Sequence, residues 1–253
     1  MGSRPDDKGS TQYALIAGSG FREFGAGSAS HEVETRYGRP SSPVRELEYG
    51  EHRVFLIARH GDDLQIPAHR VNYRGNMDAL QQLGVECVIA VNTVGVISRH
   101  LQPGQLAVPD QLIDYTWGRD HSIYDGNTDN LTHVDFTEPF CGELRQRIID
   151  AAHRAGIACH DGGVYAVTQG PRLETAAEID RLARDGADLV GMTALPEASL
   201  AMELGMRYAC LSLVVNYAAG RGNASIHEDL EAHTATAKML SMKVLRELFH
   251  GLY

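Results

Sequence analysis

The sequence predicts a single α/β domain with a central twisted β-sheet, largely parallel but mixed, flanked by helices. Short apolar runs rich in β-branched residues recur along the 253 residues, and segments of helical period lie between several of them. No internal repeat, low-complexity tract or linker interrupts residues 12–253, which predicts one domain over that range.

Six apolar runs have the length and composition of buried strands. Strands that are covered on both faces form continuous apolar runs rather than alternating ones. The predicted strands are residues 13–17, 54–58, 85–91, 163–168, 189–192 and 208–215.

Four segments have a helical period. Three of them are residues 71–83, 143–155 and 175–184, and the fourth is a long C-terminal segment in which Ala237, Leu240, Val244 and Leu248 share a face. Residues 114–138 are polar, rich in turn-forming residues and without a clear period, which predicts a long loop. Long loops inside compact domains tend to be functional.

The N-terminus does not resemble a targeting segment. Residues 1–11 are polar, which predicts a disordered extension and excludes a secretory signal, and no later run approaches 18 apolar residues. The four cysteines lie far apart without a Cys-x-x-Cys pair, which argues against a zinc ribbon and a disulfide framework. We therefore expect a cytoplasmic protein that binds neither a membrane nor a metal.

The charge balance limits the partners. Lysine and arginine number 23 against 33 aspartates and glutamates, a net charge of −10, so no general electrostatic surface for nucleic acid exists. We expect a small-molecule ligand, and any anionic ligand must be captured locally.

Residues that directly follow predicted strands carry the candidate chemistry, because ligands of open α/β sheets bind beyond the carboxyl ends of the strands. A Gly-Ser-Gly turn exposes backbone N–H groups and a hydroxyl, and an arginine offers a charge-assisted fork to the same anion. Together they predict an oxyanion pocket. The strand-end groups are Gly18-Ser19-Gly20, Arg59-His60-Gly61, Asn92-Thr93-Val94-Gly95, Gln169-Gly170-Pro171-Arg172, Thr193 and Asn216.

Each of these groups also has a plain structural interpretation. The Gly-x-Gly can be a tight turn, Arg59-His60 a solvated strand end, Thr193 a helix cap and Asn216 the residue that stops a strand. The coincidence of six such groups at six strand ends favours a site.

In this order, the residues resemble the trimeric purine nucleoside phosphorylase family, in particular its methylthioadenosine and methylthioinosine phosphorylase branch. The resemblance runs from about Tyr13 to about Leu248. The matching motifs are Gly18-Ser19-Gly20, Ala58-Arg59-His60-Gly61, Val71-Asn72-Tyr73, Tyr124-Asp125-Gly126, Gly170-Pro171-Arg172 and Met192-Thr193-Ala194-Leu195-Pro196-Glu197.

The resemblance implies phosphorolysis, in which phosphate attacks the anomeric carbon of a purine nucleoside. Inorganic phosphate is then a co-substrate, and no metal, nicotinamide or flavin is required. The resemblance also implies Met192 and Leu173 at the ribose and base. The phosphate-binding residues that it implies are Ser19, Arg59, His60, Asn92, Thr93 and Thr193.

The implied base pocket favours a 6-oxopurine. Relatives that cleave adenine nucleosides carry aspartates where this chain has Asn216 and Ala218, whereas relatives that cleave inosine or guanosine carry an asparagine and the glutamate that is here Glu174. An amide can donate to a 6-oxo group and accept from N7–H, and a carboxylate accepts from N1–H of hypoxanthine. Unpaired buried groups discriminate by roughly 10⁴ where a site is built around the hydrogen bond. Asn216 and Glu174 are thus the expected catalytic residues, although Glu174 could instead be an acidic residue early in a helix, stabilised by the macrodipole.

The 5′ end of the sugar leaves two substrates open. The overall resemblance favours a methylthio substituent, while His227 lies where inosine phosphorylases place a histidine that binds the 5′-hydroxyl. The alternative for His227 is a polar residue in the first turn of the last helix. His133 corresponds to a residue that, in relatives, reaches the neighbouring subunit's sugar site, which implies a homotrimer.

Departures from the family pattern keep other functions open. Ser19 replaces the commoner threonine, and Thr93 and Val96 replace smaller residues in the expected loop at 92–96. β-Branched side chains there are predicted to stiffen this loop and crowd the anion. The alternatives are therefore a methylthioadenosine phosphorylase, a hydrolytic nucleosidase, and a degenerate relative that binds an aromatic ligand without turnover.

Overall fold

A mixed sheet of eleven strands forms the centre of the described part of the chain. The computed structural model describes residues 11–18, 29–49, 52–126 and 131–250. The strands are β1 (Tyr13–Ala17), β2 (Ser30–His31), β3 (Val44–Tyr49), β4 (His52–Ala58), β5 (Cys87–Val96), β6 (Leu106–Val108), β7 (Gln111–Tyr115), β8 (Cys159–Asp161), β9 (Val164–Thr168), β10 (Leu189–Gly191) and β11 (Arg207–Tyr217). The helices are α1 (Tyr73–Gln82), α2 (Gly142–Arg154), α3 (Ala176–Arg184), α4 (Ala194–Glu203) and α5 (Ile226–His250).

Strand β5 is the central strand of the sheet and pairs with β1, β10 and β11. The main strand order is β2-β3-β4-β1-β5-β10-β9-β7, while β11 pairs along the other edge of β5 and continues to β6 and β8. Six of the ten strand pairings in the described residues are parallel, which confirms the predicted mixed, mostly parallel α/β sheet.

Two apolar layers cover the faces of the sheet. Side chains of a strand alternate between the faces, so Ala14 and Ile16 of β1 pack in one core with α1 and α4, whereas Tyr13, Leu15 and Ala17 pack in the other with α2 and α5. Helix α3 packs in a third, smaller core over β9 and β10. Burial on both faces explains the continuous apolar runs from which the central strands were predicted.

Strand ends differ from the prediction at two places that concern the site. The predicted strand 85–91 continues as β5 to Val96, because Thr93, Val94 and Val96 suit a pleated strand better than a loop. The predicted strand 208–215 continues as β11 through Asn216 to Tyr217, with a β-bulge between Val214 and Asn216. Strands β2, β3, β6, β7 and β8 were not predicted, because they are short or partly polar.

The four periodic segments all form helices, with ends within two residues of the predicted ones where both ends were predicted. The Asn72 side chain accepts a hydrogen bond from the Gly75 N–H and begins α1. Thr175 and Glu178 form a reciprocal capping box at the start of α3. After β7, the predicted long loop contains no helix or strand in its described residues up to 138.

The predicted N-terminal extension lies outside the described residues except for Thr11, which has no regular structure. Among the helices that the structure describes, none is long and apolar enough to cross a bilayer.

Thr175→Ala tests the capping box. Losing an N-cap side chain costs about 1 kcal/mol, so we expect thermal unfolding to shift down by about 2–4 °C for a chain of this size. Thr236→Ala is the matched control, since Thr236 is exposed in the middle of α5. Equal shifts in the two variants would contradict the assignment.

Candidate active site

A cavity of about 450 Å³ opens where β5 exchanges one neighbouring strand for another. Along one edge of β5, β1 pairs as far as Val91, and β10 pairs at Gly95 and Val96. Residues 92–94 pair only with β11 on the opposite edge, within the strands that the structure describes. The volume is that of a typical small-molecule site.

Carboxyl ends of strands reach this gap from two directions. Strands β1 and β4 run parallel to β5, whereas β9 and β10 run antiparallel to it. The register therefore points the end of β1 at Ala17 toward the end of β10 at Gly191. The residues after these four strands were predicted to lie beyond the carboxyl ends of a largely parallel sheet, and they meet at a junction between two oppositely directed halves of that sheet.

Nine of the twelve predicted site residues line the cavity. They are Arg59, His60, Asn92, Thr93, Leu173, Glu174, Met192, Thr193 and Asn216. Ser19 lies outside the described residues, although Gly18 before it does line the cavity. His133 and His227 are exposed and are not among the lining residues.

The guanidinium of Arg59 is turned into the protein. It is 1% exposed, and its Nε and Nη2 donate to the two carboxylate oxygens of Glu197 at 2.5 and 3.0 Å. Nη1 and Nη2 also donate to the carbonyls of Val91 and Ile16, both at 3.1 Å. Burial disfavours the charged form, but the charge of Glu197 holds the pKa of Arg59 above its ordinary value. In this structure the fork binds Glu197 rather than pointing at an anion, and one Nη1 hydrogen remains for a ligand.

His60 presents an acceptor to the cavity. Its Nδ1 lies 2.8 Å from the Ile66 carbonyl, which can only accept, so Nδ1 carries the proton. Burial and the charge of Arg59 lower the pKa of His60, so the ring is neutral at pH 7. The remaining Nε2 can accept a hydrogen bond from a protonated phosphate oxygen.

The expected loop at 92–96 is wrong, because these residues are the last part of β5. Val96 is fully buried in the core and does not line the cavity, so it does not crowd a ligand there. Thr93 is exposed and does line it. Thr193 is buried at the N-cap position of α4, and its side chain makes no capping hydrogen bond, which argues against the plain interpretation of it as a helix cap.

Two polar side chains mark another part of the wall. Glu174 accepts a 2.6 Å hydrogen bond from the Thr168 hydroxyl, and it precedes the cap residue of α3 rather than lying inside the helix. Asn216 donates from Nδ2 to the Tyr217 carbonyl at 2.7 Å. A Cβ on Gly95 would lie 3.0 Å from that Nδ2, so glycine at this position leaves room for the amide.

Arg119 joins the long loop to the cavity wall. Its guanidinium donates to the carbonyls of Met192 at 2.7 Å, Leu195 at 2.8 Å, Gln169 at 2.8 Å and Thr168 at 3.1 Å. These carbonyls lie at the end of β9 and directly after it, and between the end of β10 and the first turn of α4. Neither Arg119 nor Thr168 was predicted to contribute: no local pattern marks an arginine in a polar loop, and the only signal for Thr168 is its place at the end of a predicted strand.

Helix α5 presents apolar side chains to the cavity. Ile226 and Leu230 are four residues apart, share a face and line the cavity, whereas His227 lies about 100° further around the helix. The structure therefore does not place the His227 side chain with the other predicted residues.

In the described ranges, no group of three or more histidine, cysteine or acidic side chains is arranged to hold a metal ion. Cys87, Cys141, Cys159 and Cys210 are free thiols.

Comparison with known proteins identifies the family. The model of the phosphorylase superfamily matches residues 12–250. The chain belongs to this superfamily, which confirms the resemblance seen in the sequence motifs.

Two kinds of nucleoside phosphorylase are among the relatives with similar sequences. A probable S-methyl-5′-thioinosine phosphorylase of Xanthomonas campestris pv. campestris is 49% identical over 85% of this chain and 87% of its own length. A 6-oxopurine nucleoside phosphorylase of Pyrococcus furiosus is 41% identical over 92% of this chain and 87% of its own. Among solved structures, the methylthioadenosine phosphorylase of Schistosoma mansoni in complex with tubercidin is 30% identical, with a TM-score of 0.88 over 95% of this chain and 91% of that one.

Arg59→Met, Glu197→Leu and the double variant test the buried pair. Breaking a buried pair costs about 3–5 kcal/mol, so we expect each single variant to be strongly destabilised. We expect the double variant to be more stable than the sum of the singles predicts, by at least about 1 kcal/mol. Urea denaturation measures all three.

Arg154 and Glu247 form the control pair, since both side chains are well exposed at 45% and 38%. Their alanine variants should couple by no more than about 1 kcal/mol. Additive losses at Arg59 and Glu197 would show that the buried pair is not coupled.

Proposed function

We propose that this chain catalyses the phosphorolysis of a 6-oxopurine nucleoside, with S-methyl-5′-thioinosine as its substrate. A phosphate oxygen forms a bond to the anomeric carbon, the glycosidic C–N bond breaks, and free purine and 5-methylthioribose 1-phosphate leave. The observation that carries the proposal is one cavity lined by candidate phosphate-binding and base-binding residues, Arg59, His60, Thr193, Glu174 and Asn216.

At the phosphate end, the available groups complement a monohydrogen phosphate. Arg59 retains one Nη1 hydrogen as a donor, and His60 Nε2 accepts from the protonated phosphate oxygen. Asn92, Thr93 and Thr193 supply further polar groups, and Ser19 follows Gly18 in the chain. A dianion held beside the sugar stabilises the cationic, oxocarbenium-like transition state.

At the base end, the donor and acceptor pattern favours hypoxanthine. The Asn216 amide can donate to O6 and accept from N7–H as the purine leaves, and the second oxygen of Glu174 can accept from N1–H. Adenine has a lone pair at N1, which an ionised Glu174 would repel. The names of the relatives at 49% and 41% identity, which refer to thioinosine and 6-oxopurine nucleosides, support the same substrate class.

The apolar side chains of α5 favour the methylthio substituent over a 5′-hydroxyl. Ile226 and Leu230 line the cavity together with Ala218 and Ala219, and His227 does not. An apolar wall favours a methylthio group and leaves a hydroxyl without a partner.

The proposed function also includes a co-substrate, a cellular location and an oligomeric state. The reaction needs no cofactor beyond inorganic phosphate as a co-substrate. Four free thiols support a cytoplasmic location. We infer a homotrimer in which His133, exposed in this chain, contributes to the sugar site of its neighbour.

Methylthioadenosine phosphorolysis is the second candidate. It is favoured by the similarity to the methylthioadenosine phosphorylase of Schistosoma mansoni, which extends over 95% of this chain.

Initial rates with S-methyl-5′-thioinosine, inosine and S-methyl-5′-thioadenosine, each with and without phosphate, test the function. We expect phosphate-dependent cleavage with the highest kcat/KM for S-methyl-5′-thioinosine. Equal rates in phosphate-free buffer would indicate a hydrolase, and preference for the adenine substrate would favour the second candidate. If none of the three nucleosides is cleaved, the remaining alternative is a relative that binds an aromatic ligand without turnover.

Asn216→Asp should shift base preference toward adenine. A carboxylate cannot donate to O6 but accepts from the 6-amino group, so we expect the ratio of kcat/KM for 5′-methylthioadenosine to that for 5′-methylthioinosine to rise by at least about tenfold. Asn216→Ala is the control, because it removes both hydrogen-bonding functions and should slow both substrates. An unchanged ratio in Asn216→Asp would show that Asn216 does not contact position 6.

A further inference from the structure

A chain of buried hydrogen bonds connects the ion pair of Arg59 to the Asn92 side chain. Glu197 Oε2 accepts from the Tyr208 hydroxyl at 2.9 Å, and the Tyr208 oxygen accepts from the Cys210 thiol at 3.5 Å. The Cys210 sulfur accepts from Asn92 Nδ2 at 3.4 Å. The linking side chains come from helix α4 and strand β11. They connect Arg59, which follows β4, to Asn92 on β5, and both of these residues line the cavity.

The last link of this hydrogen-bond chain is Ser212, whose hydroxyl donates to Asn92 Oδ1 at 2.8 Å. Both functions of the Asn92 amide are therefore engaged from inside the protein, and one Nδ2 hydrogen is left. The amide plane is set by two contacts on opposite sides, so the direction of this remaining hydrogen is fixed as well.

Every link lies inside the core, and the Tyr208 hydroxyl and the Cys210 thiol keep their protons. Glu197, Tyr208, Cys210, Asn92 and Ser212 are each no more than 4% exposed. Burial raises the pKa of the Cys210 thiol to about 12 and raises that of the Tyr208 hydroxyl well above its ordinary value. Both groups therefore act as donors at neutral pH, and all hydrogen bonds of the chain can form at once.

We propose that Cys210 is a positioning residue for the phosphate end of the site. Its thiol joins the Arg59–Glu197–Tyr208 arm to Asn92, so that the Arg59 guanidinium and the Asn92 amide hold one fixed geometry toward an oxyanion. This role rests on the proposed function, because it assumes that phosphate binds beside these two residues. Cys210 itself does not line the cavity and does not contact the ligand.

Cys210→Ala and Cys210→Ser form a matched pair of variants. Both lose the volume of the sulfur, but only serine keeps a group that donates to Tyr208 and accepts from Asn92. We expect Cys210→Ala to raise the KM for phosphate about fivefold, the equivalent of one net hydrogen bond. The KM for nucleoside should change less than about twofold, and Cys210→Ser should stay within about twofold of the wild type for both substrates.

Two further variants distinguish an effect of the hydrogen-bond chain from a general effect on core packing. Tyr208→Phe keeps the ring and breaks the chain on the other side of the sulfur, so it should also raise the KM for phosphate selectively. Cys87→Ala also removes a buried thiol, from the opposite face of the sheet, and should leave the ratio of the two KM values unchanged. Equal effects of Cys210→Ala and Cys210→Ser, or a loss of kcat without the KM split, would overturn the proposal.

Calorimetric titration of inorganic phosphate into the same variants gives a readout that does not depend on turnover. If the wild type binds phosphate but cleaves no nucleoside, the proposed function fails, and weaker phosphate binding in Cys210→Ala than in Cys210→Ser still supports the role of Cys210. If the wild type binds no phosphate, both proposals are overturned.

Discussion

The buried ion pair between Arg59 and Glu197 joins the elements that surround the cavity. Arg59 follows β4, its guanidinium binds carbonyls of β1 and β5, and its carboxylate partner lies on α4. An unpaired charge in this dry interior would cost several kcal/mol, at about 3–5 kcal/mol for a broken pair. The contact therefore connects α4 to the carboxyl ends of three strands that already pair with one another through their backbones. Helix α4 begins directly after Thr193, so the same contact also fixes one wall of the site.

The open edge of β5 explains why the site lies where it does. Backbone N–H and C=O groups need partners, and along residues 92–94 no described strand pairs with this edge. An exchange of neighbours in mid-strand thus creates a polar cleft without any loop insertion. The two sides of the cleft are held by different arginines: Arg59 beneath β1 and β4, and Arg119 behind the segments after β9 and β10. The walls of the cleft are therefore formed by strands and helices, although Arg119, which stabilises one of them, lies in a long loop.

Much of the fold could be predicted because the central strands are buried on both faces and their apolar runs are continuous. The start of α3 at Thr175 could also be predicted, because a capping box is a local sequence pattern. The direction of β10 could not be predicted, because its three residues carry no information on whether they pair parallel or antiparallel. The Arg59–Glu197 contact joins residues 138 positions apart, and the sequence around Arg59 is equally compatible with a fork onto an anion. Sequence patterns thus placed residues near the site, but which atoms remain available to a ligand depends on long-range packing.

The compensated charge of Arg59 bears on how the proposed reaction would proceed. The protein carries a net charge of −10, and the buried arginine is neutralised by Glu197, so long-range attraction contributes little to the capture of phosphate. In the proposed reaction, phosphate binding would then rely on hydrogen bonds inside the cavity, and hydrogen bonds in a protein interior are stronger than in water. A phosphate held in this way keeps most of its negative charge, because no uncompensated cation among the described lining residues cancels it. In the proposed reaction that charge would remain available to stabilise the positive sugar in the transition state, so an arginine whose charge is compensated by Glu197 and which offers one hydrogen to the anion suits the proposed chemistry.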